Sequence, residues 1–256
     1  MRAVINLLYR LADDELILGH RNSEWTGVAP ILEEDIAFSS MAQDEMGHAL
    51  TYYRLLDELS EGDPDNLAFR RDAPQFRCAH LVEWPREDLA FSIARQFLYD
   101  AAESVRLAAL SGSSYTPLAQ VARKLAGEEK YHFMHGKAWI TRLGNATDES
   151  RARMQAALDK AFPLALGLFE TTEWETELVA QNVQPPEAEL RARWFALIAP
   201  ILQESGLRAP LVSANGGWQA TVSASEGGRR GQHTEYLAKL LEDMQLVYRS
   251  DPDAEW

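Results

Sequence analysis

The sequence has little of several residue types, and each shortage excludes a class of structure or function. It contains a single cysteine, Cys78, which excludes an internal disulfide and a cysteine-rich metal site and suits a reducing cytoplasm. Its 25 Lys and Arg face 39 Asp and Glu, and the formal net charge of −14 argues against non-specific nucleic-acid binding. No run approaches the about 18 uninterrupted apolar residues of a membrane span. We therefore expect a cytoplasmic protein that binds neither nucleic acid nor membrane.

Alternating strand patterns and internal repeats are also missing, whereas apolar residues recur at helical spacing along most of the chain. The connection over residues 61–85 is rich in proline and has room for one short helix. We interpret residues 1–256 as a single all-α domain, with a four-helix core (1–144) and a helical extension (145–256) that holds a Gly/Ser-rich loop at about 204–232. Helices are predicted over residues 3–23, 31–60, 86–110, 117–143, about 148–169, about 172–181, 187–203 and 233–248.

The stretch SSMAQDEMGHALTYYRLL, residues 39–56, places a carboxylate and an imidazole in an apolar helix face. Glu45 and His48 fall at the three- and four-residue steps that otherwise carry large apolar side chains. The same Glu-x-x-His spacing returns in EKYH, as Glu129 and His132, on the inward face of the fourth long helix. A single Glu-x-x-His pair is common on a solvated helix face, so the argument depends on its repetition.

The first and third long helices each add one inward glutamate, Glu15 and Glu103. Several buried carboxylates repel one another, and they stay ionised together only if positive charge lies among them. Two metal ions would supply that charge, and carboxylates with imidazoles suit iron or manganese better than a soft metal. This arrangement is typical of ferritin-like four-helix bundles. The predicted ligands are Glu15, Glu45, His48, Glu103, Glu129 and His132.

Three further residues lie close to these ligands along their helices. Gln96 and Asp100 precede Glu103 by two turns and one turn and are candidates to hydrogen-bond the ligand histidines. His135 lies one turn beyond His132. It is a candidate for a position next to the metal ligands, and the alternative is an ordinary surface or core residue.

The sequence resembles the C-type subunits of bacterial phenylacetyl-CoA epoxidase, a family of the ferritin-like diiron superfamily. The resemblance rests on RLADDELILGHRNSEWTGVAPILEEDIAFSSMAQDEMGHA, LAFRRDAPQFRCAHLVEWP, IARQFLYDAA, RLGNATDES and GGRRGQHTEYLAKLLEDMQ, which together span nearly the whole chain. It implies an all-α, ferritin-like four-helix bundle with additional C-terminal helices. It also implies a multicomponent oxygenase of aerobic phenylacetate breakdown.

The resemblance implies partners as well as a fold. These are a related A-type subunit in a homo- or hetero-oligomer, phenylacetyl-CoA or a similar CoA thioester, and a separate reductase through which NADPH acts indirectly. The implied cofactor is a pair of iron ions, with manganese as an alternative. Because a CoA ester carries phosphates, Arg229 and Arg230 are candidate contacts to CoA, with a contact between subunits as an alternative. In the same stretch, Thr234 or His233 is expected to cap the last helix.

This sequence departs from the C-type pattern in one respect. C-type subunits are usually structural partners that have lost metal ligands, whereas this chain keeps the full Glu, Glu-x-x-His, Glu, Glu-x-x-His set. The observation fits a residual metal site, a self-sufficient oxygenase or a second oxygenase subunit. We favour a monooxygenase component with an intact diiron site. The alternative is a non-catalytic subunit that stabilises the A-type subunit, whereas an iron-storage role is disfavoured by the long C-terminal extension.

Overall fold

A computed structural model describes residues 1–214 and 216–251, which group into two compact units. Unit 1 comprises residues 1–85 and 227–251, and unit 2 comprises residues 86–226. Within the described residues no helix is both long and apolar enough to cross a bilayer. The predicted single domain stays a prediction. The helices are α1 (Arg2–Ser23), α2 (Leu32–Glu58), α3 (Pro64–Phe69), α4 (His80–Glu83), α5 (Leu89–Leu110), α6 (Thr116–Ala146), α7 (Asp148–Leu166), α8 (Glu175–Ala180), α9 (Glu187–Glu204), α10 (Glu235–Met244) and α11 (Leu246–Ser250).

Unit 1 is built on an antiparallel hairpin of α1 and α2. The Tyr53 hydroxyl donates to Asp13 at 2.7 Å, so the C-terminal part of α2 lies beside the middle of α1. Further along, Gly19 lies so close to α2 that an added Cβ would come within 3.2 Å of the Ala42 carbonyl oxygen. The first turn of α2 is acidic, which is favourable at the positive end of the helix dipole.

The C-terminal segment of the chain returns to this hairpin. Gly228 packs on the Cys78 carbonyl so closely that an added Cβ would lie 2.2 Å from its oxygen, which explains the glycine at this position. Farther along, the Gln245 side chain donates to the Arg71 carbonyl at 2.9 Å. Residues 227–251 therefore form part of unit 1 although they are distant in sequence.

Unit 2 is built on an antiparallel hairpin of α5 and α6, against which α7 and α9 pack. A Cβ at Gly136 would lie 3.0 Å from the Cα of Phe97, so the two helices approach closely at this point. On the other side of α5, the Arg106 guanidinium forms a buried ion pair with Glu187 of α9 at 3.1 Å. This ion pair holds α9, part of the helical extension, against α5.

The Gly/Ser-rich loop contains two short strands, although the sequence shows no long alternating strand pattern. Strands β1 (Leu211–Ala214) and β2 (Gly217–Ala220) form a short antiparallel hairpin there. The sequence contains Asn-Gly at 215–216, and Gly216 has a φ of +79°. Asn-Gly between two short extended stretches is a typical hairpin turn signal, and it is the local feature that indicates these strands.

Candidate functional site

Unit 1 brings together three of the predicted ligands, which we call the first ligand group: Glu15 on α1, and Glu45 and His48 on α2. Their exposed fractions are only 1%, 0% and 2%. His48 Nδ1 lies 3.4 Å from Glu15 Oε2, so the two helices direct donor atoms to the same place. Gly19 allows this approach, because an added Cβ there would lie 3.1 Å from the Cβ of Glu45.

Unit 2 buries the other three, the second ligand group: Glu103 on α5, and Glu129 and His132 on α6. Their exposed fractions are 5%, 1% and 4%. His132 Nδ1 lies 3.2 Å from Glu129 Oε1, as the i, i+3 spacing predicts. The close approach at Gly136, one turn beyond His132, brings this part of α6 against α5.

Gln96 and Asp100 form a buried pair beside the second ligand group. The Gln96 amide donates to Asp100 Oδ1 at 2.7 Å, and neither side chain is exposed. A carboxylate oxygen of Asp100 lies within 4.8 Å of a ring nitrogen of His132. This placement suits a residue that orients a ligand histidine. His135 is half-buried, and its role stays a prediction.

The donor set of each group fits a hard or borderline metal ion. The first group combines two glutamates with one imidazole, and in the second the Glu129 and His132 pair on α6 and Glu103 on α5 are each buried. Ionised carboxylates in such an environment are costly without nearby positive charge. Oxygen and imidazole donors without thiolate suit iron or manganese. The adjacent acidic residues are placed differently, since Asp44 is half-buried and Glu128 is exposed. The predicted glutamate therefore lies on the inward face of each helix, whereas the acidic residue before it does not.

The structure also contains a cluster that sequence reasoning missed, formed by Cys78, Glu83 and His233 in unit 1. His233 Nδ1 lies 2.6 Å from Glu83 Oε1, and its Nε2 lies 3.0 Å from the Phe76 carbonyl oxygen. Both ring nitrogens of His233 therefore lie within hydrogen-bond distance of an oxygen atom. The other oxygen of Glu83 accepts from the backbone N–H and the hydroxyl of Thr234, at 2.8 and 2.6 Å.

The hydrogen bonds of this cluster join the C-terminal segment to residues 76–83 within unit 1. Burial, with Glu83 nearby, raises the pKa of the Cys78 thiol well above its usual value of 9.0, so the thiol stays protonated. Thr234 occupies the N-cap position of α10, as predicted, but its hydroxyl donates to Glu83 and makes no capping hydrogen bond to the backbone of the helix. No sequence pattern indicates this network, since His233 and Glu83 lie 150 residues apart.

The two candidate arginines have different environments. Arg229 is 3% exposed, and its Nη2 lies 2.7 Å from Asp14 Oδ2. The same guanidinium donates to the Arg77 carbonyl at 2.9 Å. We therefore correct the prediction for Arg229, because a side chain buried in these contacts cannot reach CoA phosphates. Arg230 is exposed, and its contact role stays a prediction.

Comparison with known proteins supports the resemblance inferred from the sequence. A family model described as phenylacetic acid catabolic protein matches residues 1–256. The chain is 36% identical over 248 residues to the C subunit of 1,2-phenylacetyl-CoA epoxidase from Escherichia coli (strain K12), with 96% of each chain covered. It is 22% identical over 214 residues to the A subunit of the epoxidase from the same organism, covering 82% of this chain and 69% of that one.

The family match and the helical structure agree. The observed helices, with one short β-hairpin among the described residues, confirm the predicted all-α, ferritin-like fold. The homology supports a role in phenylacetate catabolism. The chain belongs to the phenylacetic acid catabolic protein family.

Proposed function

We propose that this chain is a subunit of a phenylacetyl-CoA epoxidase and that its ligand groups hold two iron ions, with manganese as an alternative metal. One observation carries the proposal: each compact unit, taken by itself, buries one inward glutamate together with a Glu-x-x-His pair. Chance placement of six such donors in buried positions is improbable, since buried carboxylates destabilise a fold that gives them no counter-charge. The proposed ligands are Glu15, Glu45, His48, Glu103, Glu129 and His132.

The residues of the chain have separate tasks in this proposal. When bound, the metal pair supplies the reductive activation of dioxygen for oxygen transfer to an aromatic ring. The four glutamates and two histidines fix the positions of the metal ions, and Asp100, held by Gln96, orients His132. Phe38 and Phe97 are fully buried on α2 and α5, where they keep water away from the ligand faces.

The proposed partners follow from the relatives. The chain is similar to both the C and the A subunits of one epoxidase, so we propose that it pairs with an A-type subunit. Phenylacetyl-CoA or a similar CoA thioester is the proposed substrate of the complex, and a separate reductase would deliver electrons from NADPH.

Metal content tests the proposal most directly. The purified chain is loaded anaerobically with ferrous salt, freed of excess metal, and analysed for iron per chain. We expect about two iron ions in the wild type and a clear loss in Glu129→Gln. The matched control is Glu128→Gln, which removes the exposed neighbouring carboxylate and should leave the iron content unchanged. An iron-free wild type, or equal iron in both variants, would refute the metal site.

Oxygen consumption then separates a catalytic subunit from a supporting one. The iron-loaded chain is assayed with reductant and phenylacetyl-CoA, alone and with the A-type subunit. Turnover that depends on Glu129 identifies this chain as a catalyst. A metal-free chain that restores activity to the A-type subunit would instead establish the non-catalytic alternative.

A further inference from the structure

Helix α2 exposes large apolar side chains on the side opposite the first ligand group. Leu32, Ile36 and Leu50 are 71%, 60% and 37% exposed and lie on one face of the helix. We call this surface the α2 outer face; it comprises Leu32, Ile36, Ser40, Gln43, Gly47 and Leu50. The preceding loop continues it, because Val28 and Ile31 are 58% and 44% exposed.

The α2 outer face also lacks charge. From Ile36 to Leu50 no exposed position of α2 carries a charged side chain. On α6, by contrast, Lys124, Lys130 and Lys137 are all exposed. A helix that is apolar on one side and uncharged on the other is typical of a helix buried on both faces. The interior of the chain covers only one of the two faces of α2.

Small residues would let another helix approach this face closely. A Cβ added at Gly47 would meet no atom within 4 Å, so the chain itself does not require the glycine by packing. Glycine costs about 0.5–1 kcal/mol relative to alanine inside a helix. Gly47 leaves space on this face for another helix to approach closely, and such a contact would offset that cost.

We propose that the α2 outer face, with the adjoining residues 28–31, is the docking surface for a helix of the A-type subunit. This inference rests on the proposed function, which supplies that partner. A second copy of this chain is a poorer occupant, since each copy has a formal net charge of −14. The partner helix must present an uncharged, apolar face, because a buried charge would have no counter-charge on this surface.

The dimensions of the surface set the extent of the contact. From Leu32 to Leu50 the helix extends roughly 27 Å, and a strip about 10 Å wide covers roughly 270 Å². A stable interface buries about 800 Å² on each partner. The partner must therefore contact more than α2. The exposed apolar residues Val28 and Ile31 extend the same surface beyond the N-terminus of the helix.

Binding of the A-type subunit to substituted chains tests this surface. Ile36→Glu places a charge in the contact, and Gly47→Leu adds bulk where two helices would approach. For each substitution we expect the Kd of the complex with the A-type subunit to rise at least about tenfold. Two control substitutions match them. Ala152→Glu adds the same charge at an exposed position of α7, and Gly127→Leu adds the same bulk at an equally open position of α6. Both controls should bind as the wild type does.

The outcomes distinguish this inference from the proposed function. If the wild type binds the A-type subunit while both α2 variants keep its affinity, the docking surface is refuted and the proposed function stands. If the wild type shows no binding to the A-type subunit, the proposed partnership fails together with the surface. If sedimentation shows that Gly47→Leu disrupts a homodimer without affecting A-type binding, a second copy occupies the face and the inference is overturned. Far-UV circular dichroism and iron content verify that each variant is folded.

Discussion

Substitution of Arg229 by methionine separates a structural role of this arginine from a role in ligand binding. The guanidinium is buried, lies 2.7 Å from Asp14 Oδ2 and donates to the Arg77 carbonyl. It thereby joins the C-terminal segment to α1. Methionine keeps much of the apolar length of the side chain and removes the charge, so the substitution isolates the electrostatic contribution.

The expected loss of stability is large because one member of a buried ion pair is removed. Asp14 is 5% exposed, and Arg229→Met would leave its carboxylate without its counter-charge. Such substitutions cost about 3–5 kcal/mol. Arg230→Met is the matched control: Arg230 is adjacent but exposed, so its substitution should change stability by less than about 0.5 kcal/mol.

Urea unfolding of the metal-free protein, followed by circular dichroism at pH 7, measures both effects. A double variant with Asp14→Asn should be more stable than the sum of the two single losses predicts, because the buried carboxylate no longer lacks a partner. The reasoning is refuted if Arg229→Met is as stable as Arg230→Met. A stable Arg229→Met variant with weakened CoA binding would restore the ligand-contact role.

Three further predictions concern packing, thiol reactivity and pH. Gly136→Ala should destabilise the protein by about 1–3 kcal/mol in thermal unfolding, because the new Cβ would lie 3.0 Å from the Cα of Phe97. The control Gly127→Ala lies at an open helical position and should be neutral or stabilising. Cys78 should not react with DTNB at pH 8 in the folded chain and should give one thiol per chain in urea, because burial raises its pKa; full labelling without urea would contradict its burial. Burial, with Arg21 nearby, lowers the pKa of His20 from 6.5 to about 4. Between pH 6.5 and about 4 the unfolded chain therefore binds more protons at His20 than the folded chain does. The contribution of His20 to the free energy of unfolding is complete above pH 6.5 and is lost as the pH falls towards 4. The urea-unfolding free energy should decrease less between pH 7 and pH 5 in His20→Gln than in the wild type, and equal decreases would refute this.

The long helices and the burial of the proposed ligands were predictable from the sequence. The predicted range 3–23 compares with the observed Arg2–Ser23, and 117–143 with Thr116–Ala146. Helical periodicity is a local property, and it also identifies the inward face of each helix. Glu129 lies on the inward face of α6 and is buried, whereas the adjacent Glu128 is exposed.

The contacts between distant segments were not predictable in this way. The sequence resemblance makes Arg229 a candidate contact to CoA or to another subunit, yet the chain returns and buries it beside Asp14. His233 meets Glu83 across 150 positions of sequence, and no periodicity links them. Such contacts depend on how the C-terminal segment folds back, which a local pattern does not encode.

The electrostatics of α1 explain why the C-terminal segment belongs to unit 1. Asp13, Asp14 and Glu15 are three consecutive buried carboxylates, and successive helix positions point in directions about 100° apart. One cation cannot serve all three. Arg71 donates to Asp13 at 3.1 Å and Arg229 pairs with Asp14, while Glu15 belongs to the first ligand group. A chain that ended at residue 226 would keep the cation for Asp13 and lose the one for Asp14. We therefore expect such a chain to unfold at lower urea concentration even without metal, because α1 needs the C-terminal segment as a source of charge.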